Sequence, residues 1–280
     1  MLRLWSSKGK DLGMLAGHTE WVNGALALSG GRLLSWSRDT TLRLWSSELE
    51  APGVLAGHMD AVTGALALSD GRLLSWSSDS MLRLWSRQGE NLGVLAGHTD
   101  FVNGALELSD GRLLSWSDDA TLRLWDSKGE DLGLLAGHYR SVKGALELSH
   151  GRMLSWSYDN TLRLWDSAGQ GLSVLAGHND WVRGAKAMPD GKILSWSMDN
   201  TLRIWSNTDR ELREVSGHTL PITGALLLAD GRFLSWSEDC TLRLWSSEGE
   251  ELRILVGHSD WVNCGLELTD VPPAFSSIWS

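Results

Sequence analysis

Seven of the eight histidines follow a glycine and recur every 40 residues: His18, His58, His98, His138, His178, His218 and His258. In six copies an aspartate comes 21 residues later, at Asp39, Asp79, Asp119, Asp159, Asp199 and Asp239. An imidazole beside a carboxylate can serve as a general base, and several imidazoles together can hold a metal. The groups that would complete such chemistry are missing. The chain has no Gly-x-Ser-x-Gly, no phosphate loop and no Cys-x-x-Cys. Its recurrent Ser-Trp-Ser lies inside an apolar run, not on the sharp strand–turn–helix that presents a nucleophile. Equivalent residues at one repeat position predict one shared structural duty, buried hydrogen bonding. No catalytic residue, metal or cofactor is expected. His150, which takes the place of a turn aspartate, is expected at the surface.

The elements that carry these residues repeat without a slip, which makes repeat architecture the first conclusion. Residues 31–45, GRLLSWSRDTTLRLW, are two short apolar runs around a polar turn at Arg38-Asp39-Thr40, the pattern of a β-hairpin. With Ser37 facing Thr41, the period-2 rule puts Leu33, Ser35, Ser37, Thr41, Arg43 and Trp45 on one face. Leu34, Trp36, Leu42 and Leu44 take the other. Neither face is polar enough to be simply solvated, so both must be covered. Residues 22–28 read as a preceding strand and residues 13–16 as a short strand before Gly17-His18. Each repeat is then four short antiparallel strands, a sheet that buries both faces only when stacked on others like it.

Trp is over-represented, with 17 against 3 Phe and 2 Tyr. Thirteen occupy two repeat positions, one of them Trp5, Trp45, Trp85, Trp125, Trp165, Trp205 and Trp245. A net charge of −10 argues against the whole surface as a nucleic-acid binder, which needs clustered Lys and Arg. Cys240 and Cys264 make no disulfide framework. No secretory signal and no apolar run near the ~18 residues of a spanning helix is present, so a cytoplasmic protein is expected.

Gly-His, the hairpin aspartate and Thr-Leu-Arg-Leu-Trp resemble the WD40 repeat over nearly the whole chain. The resemblance implies an all-β fold: a single seven-bladed β-propeller over residues 1–280, with four-stranded antiparallel blades. Its ring would be closed by pairing N-terminal strands (1–16) with C-terminal strands (261–280), with first and second strands at 262–268 and 274–279. It also implies a hydrogen-bond network joining His18, Ser35, Asp39 and Trp45. The corresponding sets are His58, Asp79, Trp85; His98, Asp119, Trp125; His138, Asp159, Trp165; His178, Asp199, Trp205; and His218, Asp239, Trp245. Histidines spread around a ring cannot converge on one metal. The chain departs from the family in two ways. Trp-Asp survives only at Trp125-Asp126 and Trp165-Asp166. A large ring stands at Trp36, Trp76, Trp116, Trp156, Trp196 and Trp236 where a small residue is usual. Burying such a ring is worth at most ~4–6 kcal/mol for ~150–250 Å², so these tryptophans are expected to stiffen the fold. In the last copy Val271-Pro272-Pro273 replaces the usual turn and His258 has no matching aspartate.

Between the fixed landmarks, a few loop positions vary freely, and the resemblance places these loops on one rim that WD40 proteins use to hold partners. The expected partner-binding residues are Trp21, Arg38, Met59, Phe101, Asp118, Tyr139, Arg140, Lys143, Tyr158, Trp181, Arg183, Lys186, Met198, Glu238 and Trp261. Aromatics dominate interface hot spots, which favours a non-catalytic protein–protein interaction module. Arg140, Lys143, Arg183 and Lys186 between aromatics would suit an acidic peptide. They would also suit a nucleic-acid strand, which is the alternative function, or they would simply pair with Glu107 and Glu147. The repeats resemble recently amplified bacterial arrays, where propellers often serve as interaction domains attached to effectors. A monomer, or a domain of a larger protein, is implied.

Overall fold

The computed structural model describes residues 2–5, 8–46, 53–206 and 210–265. They form a two-stranded sheet, Leu2–Trp5 with Asp11–Leu15, and six four-stranded antiparallel sheets. The six occupy residues 22–55, 62–96, 102–136, 142–176, 182–216 and 222–255, and are called sheets 1 to 6. Sheet 3 stands for all of them: Val102–Glu107, Leu113–Ser117, Thr121–Trp125 and Asp131–Ala136, hydrogen-bonded in chain order. Among the described residues there is no α-helix, and therefore none long and apolar enough to cross a membrane.

The central hairpin has the register expected from its alternation. In sheet 1, Leu33 faces Trp45, Leu34 faces Leu44, Ser35 faces Arg43 and Trp36 faces Leu42. Its three-residue loop ends in a left-handed residue, Thr40 at φ 67°, with Ala120 in the same conformation in sheet 3. A three-residue hairpin loop closes by placing one residue there. Trp36 lies across the sheet from Gly24, its partner in register. A methyl group at Gly104 in sheet 3 would come within 2.6 Å of the Cε2 of Trp116, so the glycine is the space that the ring fills.

The chain divides into two compact units, residues 1–159 with 163–173 and residues 160–162 with 174–280. In the first, Trp36 and Leu34 pack with Val62, Leu73 and Trp85 of the following sheet, and Trp76 does the same against Val102, Ala105 and Trp125. In the second, Trp196 joins Ile222, Ala225, Phe233 and Trp245 in one cluster. Trp36, Trp76, Trp116 and Trp196 are thus layers between one sheet and the next. Side chains at the second position of the first strands add polar links. The Asn23 amide donates to the Val62 carbonyl at 2.8 Å, and the Thr223 hydroxyl donates to the Val262 carbonyl at 2.7 Å.

The last copy departs from the expected strands. Residues 262–265 form none; Val262 instead donates its N–H to the Ser237 carbonyl at 3.2 Å. The sequence beyond has no Ser-Trp-Ser-x-Asp to act as the partner that Val22–Ala27 finds in Leu33–Ser37. The second strand expected at 274–279 and closure by residues 266–280 lie outside the described residues. Trp5, whose sheet has two described strands, is largely exposed, whereas Trp45 is buried. Both cysteines are free thiols.

Candidate functional site

The histidines are part of the frame that holds the loops. In sheet 3 the Trp125 indole N–H donates to Ser115 Oγ at 2.9 Å, His98 Nε2 lies 2.8 Å from the same hydroxyl, and His98 Nδ1 lies 2.8 Å from Asp119. One assignment gives every donor an acceptor: Ser O–H donates to Nε2 of a neutral imidazole, whose Nδ1–H donates to the carboxylate. The same array occurs around His18, His58, His138, His178 and His218. Its Asp–His–Ser order is the one that activates a serine nucleophile. Here Ser35, Ser75, Ser115, Ser155, Ser195 and Ser235 are 0% exposed and already accept the Trp N–H, so no substrate reaches the hydroxyl. His258, without the aspartate, is exposed, and so is His150.

The aspartate does more than orient the imidazole. Asp79 also accepts the N–H of Met59 at 2.8 Å, as Asp39 accepts that of Thr19 and Asp159 that of Tyr139. It therefore ties the loop after Gly-His to the hairpin turn and fixes the backbone from which the variable side chains project. The glycine before the histidine has its own reason: a Cβ at Gly17 would lie 2.7 Å from the guanidinium of Arg43. The arginine of Leu-Arg-Leu-Trp, placed by the alternation on the face of Ser35 and Trp45, lies against that corner. In sheet 5, Arg203 is buried and held by Glu211 and Glu214, each at 2.6 Å.

Burial pushes the imidazoles of His18, His58 and His218 below their usual 6.5, against the pull of their aspartates. Desolvation opposes ionisation of Asp39, but hydrogen bonds from Thr41, Thr19 and His18 outweigh it and hold its pKa at about 2. Asp239 is likewise held at about 2 by Thr241, His218 and Thr219. Both effects make acid destabilising. Below pH 6.5 the unfolded histidines take protons that the folded ones refuse, and stability is lost as the pH falls from there towards the lowered folded values. The carboxylates contribute stability above 3.8 that is lost as the pH falls to about 2. The urea midpoint is expected to drop between pH 7 and 5 and again between pH 4 and 2. A midpoint that is flat or rising from pH 7 to 5 would refute the histidine part.

The loop residues fall into two groups. In the first unit Met59 is 85% exposed, Trp21 71% and Tyr139 70%, with Phe101 about half exposed. Trp261 and, less fully, Trp181 are exposed in the second. All but Trp261, whose repeat lacks the aspartate, face outward from tethered backbone. The charged candidates mostly face one another. Lys143 donates to Asp118 at 2.6 Å and sits 4.8 Å from the Tyr158 ring; Asn103 and Ser141 also donate to that aspartate. Arg183 lies 3.8 Å from Glu238 and 3.4 Å from the Met198 sulfur. Asp118 and Lys143 are therefore half-buried partners of each other.

Two expectations for the basic residues fail. Glu107 and Glu147 do not pair with them; they accept from the N–H and hydroxyl of Ser69 and Ser109, because they end the first strands at the far turn. Lys186 faces Leu194, three residues (~10 Å) along the strand from Arg183, and so belongs to the opposite end of the sheet. Arg140 is exposed.

Comparison of the copies also passed over a cavity. Asn23, Arg38, Asp60, Ala61, Thr63 and Ser78 line an open surface cavity of about 570 Å³ between sheets 1 and 2, beside Trp21 and Met59. The signal was present: the residue after the first strand's leading Val or Ile runs Asn23, Thr63, Asn103, Lys143, Arg183, Thr223, Asn263. That position varies as freely as the loops do.

With this geometry in view, comparison with known proteins defines the class. Residues 9–46, 89–126, 169–206 and 209–246 match the family model described as WD domain, G-beta repeat, and the chain belongs to the WD40-repeat family. Among solved structures it is similar to the crystal structure of the WD40 beta propeller domain of Doa1. The two are 28% identical, with a TM-score of 0.65, over 86% of this chain and 84% of that one. The fold class is that of the β-propellers. No curated protein matches the chain.

Proposed function

We propose that this chain is a protein-interaction module whose partner is held on the loop rim. The single observation that carries the reading is the exposure of Trp21, Met59, Phe101 and Tyr139 on loops whose backbone the aspartates tie down. A large apolar side chain fixed in water is a liability unless it is covered, and a tethered backbone lowers the ordering cost of covering it. Membership of a family whose propellers generally act as interaction scaffolds supports the same reading. The nucleic-acid alternative has less behind it, since Lys143 and Arg183 already lie beside Asp118 and Glu238.

The test is capture of partners from native lysate by the wild type and by a Trp21→Ala, Trp181→Ala, Trp261→Ala variant. Trp21 and Trp261 project from the surface, so unfolding should change by no more than about 0.5 kcal/mol at each. Trp181, only 36% exposed, should cost more, so the variant's fold is checked by its unfolding. A partner lost by the variant is the expected result. A partner held equally by both proteins would remove the aromatic rim from consideration.

A further inference from the structure

We infer that the cavity between sheets 1 and 2 is a subsite for a carboxylate, the Asp or Glu side chain of an extended segment whose neighbouring apolar residue rests on Trp21 and Met59. The inference builds on the rim reading and names what part of that rim recognises. Arg38 is its centre. The guanidinium lies over the Trp21 ring, 4.8 Å from the ring centroid, and both residues are tied at the backbone: Arg38 N–H donates to the Trp21 carbonyl at 2.9 Å. Among the described residues no carboxylate forms an ion pair with Arg38, whereas Lys143 and Arg183 each have one nearby. The adjacent Asp39 has its two oxygens on His18, Thr19 and Thr41. An arginine held over an indole can still present N–H donors to a carboxylate, and the contact removes part of the rotamer freedom that binding would otherwise cost.

The remaining walls set the charge of the ligand. Ser78 offers a hydroxyl, the Asn23 amide and Thr63 hydroxyl already donate to the Val62 and Val102 carbonyls, and Asp60 contributes a carboxylate whose Oδ1 accepts the Ala61 N–H at 2.6 Å. One cation facing one fixed anion suits a singly charged group better than the dianion of a phosphoryl group, which Asp60 would repel. The other copies lack the combination, because Ser78, Asp118, Tyr158, Met198 and Glu238 stand where Arg38 does. Repetition supplies the rim, and one substitution gives it a polarity.

A random 12-residue peptide library displayed on phage and panned on the full chain tests both levels. Peptides enriched on the wild type are expected to carry Asp or Glu beside an aromatic or aliphatic residue. With the best of them made synthetically and labelled, Arg38→Ala is expected to weaken binding at least tenfold by fluorescence anisotropy. Asp→Asn in the peptide should do the same, and the two changes together should cost no more than either alone. Arg38→Lys should weaken it less, and Lys128→Ala, on the exposed far turn of sheet 3, not at all. Enriched peptides that bind Arg38→Ala unchanged overturn the carboxylate subsite and leave the rim reading standing. Tighter binding when phosphoserine replaces the Asp overturns the assignment to a monoanion. Enrichment of no peptide at all counts against the rim reading as well as the subsite.

Discussion

Gly104→Ala is expected to destabilise the protein by about 2 kcal/mol, and to become neutral or slightly stabilising once Trp116 is also replaced by alanine. Gly104 faces Trp116 in register, and a methyl group there would lie 2.6 Å from the ring's Cε2. The ring cannot yield freely, because its other side packs with Leu114 and Ala145. Overpacking of this kind typically costs roughly 1–3 kcal/mol. Trp116→Ala alone removes a partly buried ring and leaves a hole, at a cost of about 3 kcal/mol. In that background the methyl fills space instead of colliding. Gly104 has ordinary strand φ, so Ala also narrows the unfolded ensemble, worth about 0.5 kcal/mol. The check is a double-mutant cycle in urea. Additivity of the two changes would mean that the glycine serves some purpose other than making room for the ring.

Ser115→Ala should cost about 2–4 kcal/mol, although it deletes one oxygen and leaves the shape of the core almost intact. That oxygen accepts from Trp125 and donates to His98, and the residue is 0% exposed. Without it a buried indole N–H and an imidazole nitrogen are both unpaired where water does not enter, and each such group costs ~1–3 kcal/mol. Thr121→Val is the contrast. It removes the hydroxyl that donates to Asp119 at 2.6 Å, yet the second copy has Met81 at that place and keeps His58 on Asp79 at 2.9 Å. The loss there should stay under about 1 kcal/mol. Equal effects of the two substitutions, measured by thermal or urea unfolding, would show that the network is valued by count of bonds and not by burial.

What could be read before the structure was the part governed by neighbours in sequence. The hairpin register follows from alternation over some fifteen residues, and a polar turn between two such runs admits one pairing. The loop positions that end up exposed were visible as variation between copies. What could not be read was the outcome of contacts between residues far apart along the chain. Lys143 and Asp118 are 25 residues apart, both at variable positions, and nothing local says that one would neutralise the other. Alternation gives Arg43 its face of the sheet, but only the corner at Gly17 shows what it packs against. Lys186 differs from Arg183 by three residues, enough to put it at the other end of the sheet. The cavity beside Arg38 needs two sheets to exist at all.

The shared register of the six four-stranded sheets bears on how the chain assembles. Residues 22–27 and 62–67 pair with their second strands through the same sequence of partners, Val with Ser, Gly with Trp, Ala with Ser. A first strand would therefore fit the second strand of the next repeat almost as well as its own, and native contact energy alone barely separates the two pairings. Loop length separates them. The native partner lies across a turn of a few residues, closed by bonds such as Leu68 N–H to the Arg72 carbonyl at 2.9 Å, while the competing one is 40 residues further along. Closing the longer loop is both costlier and slower. The short Asp-Gly turns thus act as proofreading by kinetics, and lengthening one should yield misassembled chains before it yields unstable ones.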